Sequence, residues 1–282
     1  ADANSIFYFN GDELLSYASG HYLVSNSDFL GYNGVQTAGS KIAFHAASNS
    51  LEGAFNISFN NGGRWLYCHQ SDYTDAGGRG TQNGYCFNVE EVTSLPVTVT
   101  AAGFATLYAP VALEVLAGVT AHTVTINGEW ATLSDALEVI PANTGVVLYS
   151  EKEDTYNFTI TDDVEAIEGN ALRGSAAATY ITTDAYVLSN GENGVGFYGA
   201  ILNQQGNTAF LNNSHKAYLP MPEGAEGIKS YSFRFGEDTT AIDEVKTKNG
   251  EVKVIFDLTG RRVSEITSPG IYIVNGKKVL VK

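Results

Sequence analysis

The chain has 282 residues, 44% of them hydrophobic, and a formal net charge of −15. That much apolar material supports a packed core and argues against global disorder. The negative charge argues against nucleic acid and anionic lipid as partners of the main body, since both are polyanions. No apolar run approaches the roughly 18 residues that a membrane helix needs, so no transmembrane segment is predicted.

Thirty glycines and thirty-two aromatic residues against one methionine predict turns and strands rather than helix bundles, hence an all-β class. The charge is unevenly placed: residues 1–240 carry −18 and residues 241–282 carry +3. The chain opens at Ala1 without a charged-then-apolar leader, as expected of a mature protein or of the C-terminal piece of a longer one.

Residues 1–94 read as an aromatic-rich β module, holding fifteen of the thirty-two aromatics. Two stretches resemble each other: Gly20-His-Tyr-Leu-Val-Ser with a later Lys41-Ile-Ala-Phe-His, and Gly63-Arg-Trp-Leu-Tyr-Cys with a later Gly84-Tyr-Cys-Phe-Asn-Val. Each reads as a strand, a long polar loop and a returning strand. The loop 72–84 carries Asp72, Tyr73 and Asp75 among glycines. As a binding loop it would offer carboxylates and amides to sugar hydroxyls, with Trp65, Tyr67 or Tyr73 as a stacking face; otherwise it is a solvated hairpin loop. Cys68 and Cys86 follow tyrosines in similar settings. They are expected either to form a bridge between neighbouring strands or to remain two buried thiols.

Pro96 predicts a boundary, because it forces its predecessor into an extended conformation. Residues 95–236 then read as an antiparallel β-sandwich accessory domain, with apolar strand signals such as 103–110, 145–149, 185–188 and 231–235. The stretch 134–140 predicts a turn or two of helix, stopped by Pro141. Residues 237–250 are polar and turn-rich, as a linker would be.

In residues 251–282, Val252, Val254 and Phe256 alternate with polar or unlike neighbours, the period of a two-faced strand. Pro269-Gly270 is a turn, and Asn275-Gly276 between two β-rich runs predicts a type I′ hairpin.

Motifs of catalysis are missing. The five histidines form no HExxH, no Gly-x-Ser-x-Gly elbow occurs, and Gly77-Gly-Arg-Gly80 lacks the dinucleotide spacing. Ser214 and His215 are adjacent in sequence, but a nucleophile and its base must be neighbours in space, so a turn is expected there. No metal site and no cofactor are expected.

The N-terminal stretches are similar to lectin-like β-trefoil repeats of the ricin type, with a small β-sandwich as the other reading. The tail pieces Asp257-Leu-Thr-Gly-Arg-Arg-Val263, Pro269-Gly-Ile-Tyr-Ile273 and Asn275-Gly-Lys-Lys-Val-Leu-Val-Lys282 resemble the type A C-terminal sorting domain of the type IX secretion system. That resemblance implies delivery to the outer-membrane surface or the medium of a Gram-negative bacterium. It also implies secretion machinery as a partner, reading Gly260, Arg261, Arg262, Pro269, Gly270, Asn275, Gly276, Lys277 and Lys278. The expectation is a non-catalytic C-terminal region of an exported protein, with a carbohydrate-binding or adhesion module. The alternative is the accessory region of a secreted glycosidase or protease whose catalytic domain lies upstream.

Overall fold

The structure is a computed structural model that describes residues 3–26, 29–32, 34–46, 54–59, 61–69, 75–79, 86–235, 255–256, 270–274 and 277–281. Strands dominate it, and the 3-10 turn Ala3–Ser5 is the one helical segment among the described residues. The all-β class predicted from turn residues and aromatics is what the chain adopts. The chain divides into two compact units, Ala1–Phe233 and Arg234–Lys282.

The larger unit begins with a hairpin of β1 (Phe7–Phe9) and β2 (Leu14–Ser16). One antiparallel sheet follows, built from β3 (Leu23–Asn26), β4 (Phe29–Tyr32), β5 (Ile42–Ala46), β6 (Ala54–Phe59), β7 (Arg64–His69), β8 (Asp75–Arg79) and β9 (Phe87–Asn88). Its order is β3-β4-β8-β7-β6-β5, with β9 also on β6. The strands expected to return to one another over long loops do not. β3 and β5 sit at opposite ends of that order, because each pairs with its sequence neighbour, where loop closure costs less entropy. Leu30, Ile42, Ile57 and Phe59 form the buried core of this sheet.

Next come β10 (Ser94–Val99), β11 (Phe104–Leu107), β12 (Ala112–Glu114), β13 (Thr120–His122), β14 (Val124–Asn127), β15 (Trp130–Leu133), β16 (Val139–Ile140), β17 (Val146–Tyr149) and β18 (Asp154–Thr161). Sheets β10-β18-β12-β16 and β11-β17-β13 share one core, with Leu95, Val97, Val99 and Phe158 from the first and Leu107 and Leu148 from the second. Pro96 lies inside β10 rather than at a boundary. β10 is an edge strand, the place in a sheet where a residue without an N–H is tolerated. The expected helical turn at 134–140 is absent as well. Leu137 N donates to Ala121 O at 2.9 Å and Val115 N to Glu138 O at 2.9 Å, so this backbone is spent on neighbouring strands.

The unit closes with β19 (Arg173–Ser175), β20 (Thr179–Ile181), β21 (Ala185–Gly191), β22 (Gly194–Gly199), β23 (Phe210–Asn212), β24 (Lys216–Pro220) and β25 (Ser230–Phe235). A seven-stranded sheet runs β14-β15-β25-β22-β21-β24-β19 over a core that includes Tyr186, Phe197, Leu219 and Tyr231.

Residue 94, the expected end of a first domain, lies within the larger unit. Ile6 and Tyr17 belong to the same buried cluster as Leu95 and Phe158. The Tyr17 hydroxyl donates to Pro96 O at 2.6 Å. Gly20 shows how close the approach is. Its φ is +66°, and a Cβ there would stand 2.3 Å from Ser214 Cβ and 2.8 Å from Ala178 N.

The smaller unit contains a three-stranded antiparallel sheet of β26 (Ile255–Phe256), β27 (Gly270–Val274) and β28 (Lys277–Val281), in that order. The register runs from Gly270 opposite Val281 to Val274 opposite Lys277. The expected linker 237–250 lies outside the described residues.

Candidate functional site

The strands β5, β6 and β7 carry the aromatic candidate. In their register Ala43 stands opposite Ser58, His45 opposite Asn56, and Ser58 opposite Trp65. Directly paired residues, and residues two apart on one strand, share a face. His45, Asn56, Ser58 and Trp65 therefore occupy the face opposite to the core residues Ile42, Ile57 and Phe59. Most of that second face is polar, which is unusual for a strand as buried as β6. Asn56 and Ser58 are each only 2% exposed.

Burial obliges these groups to find partners. His45 Nε2 and Ser58 Oγ lie 2.8 Å apart, and Asn56 Nδ2 donates to Cys86 Sγ at 3.7 Å. The His45 and Trp65 rings are 4.8 Å apart and tilted by 51°. His45 is exposed and Trp65 is half-buried. The result is a small platform: an indole held in place by an imidazole that is itself anchored to a buried hydroxyl. Such a platform can stack an apolar ring face and offer an N–H at its rim.

Of the residues predicted to bind beside it, Tyr67 is two along β7 from Trp65, with its backbone opposite Gly77. Asp75 opens β8, with its backbone opposite His69. Their side chains, and all of Asp72 and Tyr73, lie outside the described residues. β9 continues the β6 ladder at Ala54 and Phe55, which brings Cys86 next in register to Asn56. Cys68 lies on β7, its backbone opposite Ala76. The side chain of Cys68 is outside the described set, and no disulfide is seen among the described side chains.

In the smaller unit, Gly270 opens β27, and Lys277 and Lys278 begin β28 opposite Val274 and Ile273. Gly260, Arg261, Arg262, Pro269, Asn275 and Gly276 lie outside the described residues. No group of three or more His, Cys, Asp or Glu side chains arranged for a metal ion occurs among the described residues.

A second cluster has no motif behind it. His215 occupies a turn at φ +57° and is 8% exposed. Its ring lies 4.4 Å from the Tyr17 ring and 5.5 Å from the Tyr8 ring. Nδ1 is 3.1 Å from Tyr108 O, so it carries the proton and donates it. Nε2 has no partner, nor has the buried Tyr8 hydroxyl. Burial holds the imidazole down to about 4, against an ordinary 6.5, and pushes the Tyr17 phenol up to about 12. Burial and the neighbouring Tyr17 raise the Tyr8 phenol further. The hydrogen bond and ring contacts of His215 are to Tyr108, Tyr17 and Tyr8. This is a structural cluster, drawn from residues up to 207 positions apart, which is why no local pattern announced it.

Compared with known protein families, curated proteins and solved structures, the chain matches none. Among the described residues no helix is long and apolar enough to cross a membrane.

Proposed function

We propose that this is a non-catalytic binding protein of a Gram-negative cell exterior, in which residues 251–282 act as a type IX secretion address and the larger unit is the exported cargo. The observation that carries the reading is the separateness of the tail. Residues 234–282 form their own compact unit, and among the described residues β26, β27 and β28 pair only with one another. A transport signal read by machinery must present itself whatever the cargo, and a self-paired sheet meets that requirement. The +3 charge of residues 241–282, beside a body at −18, distinguishes the signal chemically from its cargo. Arg261, Arg262, Lys277 and Lys278 supply the basic groups. Deleting residues 251–282 is expected to leave the protein in the periplasm of a host with this secretion system. Unchanged delivery to the surface or medium, measured by cell fractionation, would refute the reading.

The cargo's activity in this proposal is carbohydrate binding at the Trp65 platform. A half-exposed indole stacks on the C–H face of a sugar, while His45 and the acids Asp72 and Asp75 serve its hydroxyls. Trp65→Ala is expected to abolish retention on a glycan array or affinity gel that holds the wild type, with the fold intact by circular dichroism. If the wild type itself retains no glycan, carbohydrate binding falls while the export reading stands.

A further inference from the structure

β21 pairs with β22 along its length, from Tyr186 opposite Gly199 to Gly191 opposite Gly194. Its other edge meets β24 only at Ala185 and Tyr186, opposite Pro220 and Leu219. Beyond that point the two strands diverge, and β24 turns its Lys216 end to β19, where Ser175 stands opposite Lys216. A cleft of about 780 Å³ occupies the fork, a size typical of ligand sites.

Two strand edges border it: that of β21, unpaired beyond Tyr186 among the described residues, and that of β11, joined to the β24 side where Tyr108 N donates to His215 O at 3.0 Å. Ala200 N donates to Ala185 O at 2.8 Å, so the odd-numbered residues of β21 exchange bonds with β22. Antiparallel alternation then turns the backbone amides of Leu188 and Asn190 away from β22, into the fork. On the other wall, Ser150 N donates to Gly103 O at 2.9 Å and Asn143 N to Ala109 O at 2.7 Å. The odd-numbered positions of β11 thus face β17, and those of Phe104 and Thr106 face outward. Thr106 Oγ1 accepts from Ala217 N at 3.2 Å, tying β11 to β24 at the base of the cleft. Among the described residues, no strand continues the ladder at Leu188 and Asn190.

An open edge is a template for another strand, and proteins ordinarily cover or blunt it. This one is instead set in an apolar recess with a single charge. Lys216 is the one charged side chain among the lining residues, no carboxylate lines the cleft, and it makes no ion pair among the described residues. The cleft wall partly desolvates it, which lowers its pKa from the ordinary lysine value, although the side chain still reaches solvent. In a body at −18 this is a local reversal of sign.

We propose that the fork binds an extended peptide, which adds a strand to the β21 edge and sets a carboxylate against Lys216. Backbone bonds to Leu188 and Asn190 would supply affinity, and the apolar walls would select alternate side chains. The free stretch Val187–Gly191, at about 3.3 Å per residue, matches a peptide of about five residues. This site is independent of the Trp65 platform and of the tail.

The test exposes the full chain to a synthetic pool of pentapeptides with free C-termini, then titrates resynthesised retained sequences by fluorescence polarisation. Retained peptides should alternate apolar and polar residues, and N-methylation of alternate amides should weaken them at least tenfold. Lys216→Gln should weaken them at least tenfold. Asn190→Pro should do the same, since it deletes a donor aimed into the fork and leaves the β22 ladder intact. Its melting temperature should match the wild type; were it to unfold, the N-methylated peptides carry the same test. C-terminal amidation separates the two carboxylate sources. Sequences that lose binding place their terminus at Lys216, and those that keep it must contain Asp or Glu. The proposal is overturned if no peptide is retained, if N-methylation is without effect, or if peptides lacking every carboxylate bind equally well.

Discussion

The buried imidazole of His215 couples folding to pH on the acid side of neutrality. A buried imidazole resists protonation because its charged form loses hydration. In the unfolded chain it titrates near 6.5; in the fold it is held to about 4. The folded state therefore binds fewer protons through this interval. The stability linked to His215 is complete above pH 6.5 and drains away as the pH falls through 4, a loss of roughly 3 kcal/mol for this site. Burial is the largest cause; the Tyr108 and Tyr17 backbones oppose it in part, Lys216 adds a like charge, and the Tyr8 and Tyr17 phenols are neutral in this range. Asn tolerates the left-handed backbone at this position and does not titrate. In urea unfolding at stepped pH, His215→Asn should be less stable at neutrality yet lose less than the wild type between pH 6.5 and 4. Parallel curves for the two proteins would show that His215 is not the group responsible.

At the scale of elements, the hairpin β1–β2 is the piece whose role differs most from its place in the sequence. It belongs to the aromatic-rich N-terminal stretch but buries Ile6 and Tyr17 in the core of β10–β18. Ala178 N donates to Gly20 O at 2.8 Å, closing the contact at its far end. Gly20→Ala would place a methyl against the Ser214 side chain and the Ala178 backbone at positive φ, so it should cost about 2 kcal/mol or more. If the hairpin were a loose appendage, the melting temperature would not move. Local signals fared well for strands: Leu95, Val97 and Val99 alternate with Ser94, Pro96 and Thr98, and the first three are the buried ones. Local signals failed where long-range pairing decided. Pro96 looked like a stop, yet an edge strand accommodates it. Residues 134–140 looked helical, yet the neighbouring strands take up their amides. The Trp65 platform was half legible. The indole and its strand stood out, but His45 and Ser58 joined it through a register that only the sheet order sets.

At the scale of the whole molecule, two compact units divide the labour proposed here: an acidic body of strands that meets ligands, and a basic three-stranded sheet that addresses the body to the exterior. The fork at β21 was beyond the reach of sequence, because its lining comes from β10, β11, β21, β22, β23 and β24 and depends on where two strands diverge. The tail was legible, because its turn pairs and alternation are local, and the register Val274 opposite Lys277 leaves two residues for the turn, as Asn275-Gly276 predicts. An address should work on a foreign cargo. The most direct measurement fuses residues 234–282 to the C-terminus of a periplasmic reporter enzyme in a bacterium with type IX secretion. Reporter activity should then appear at the cell surface or in the medium, and a reporter that stays in the periplasm would contradict the account.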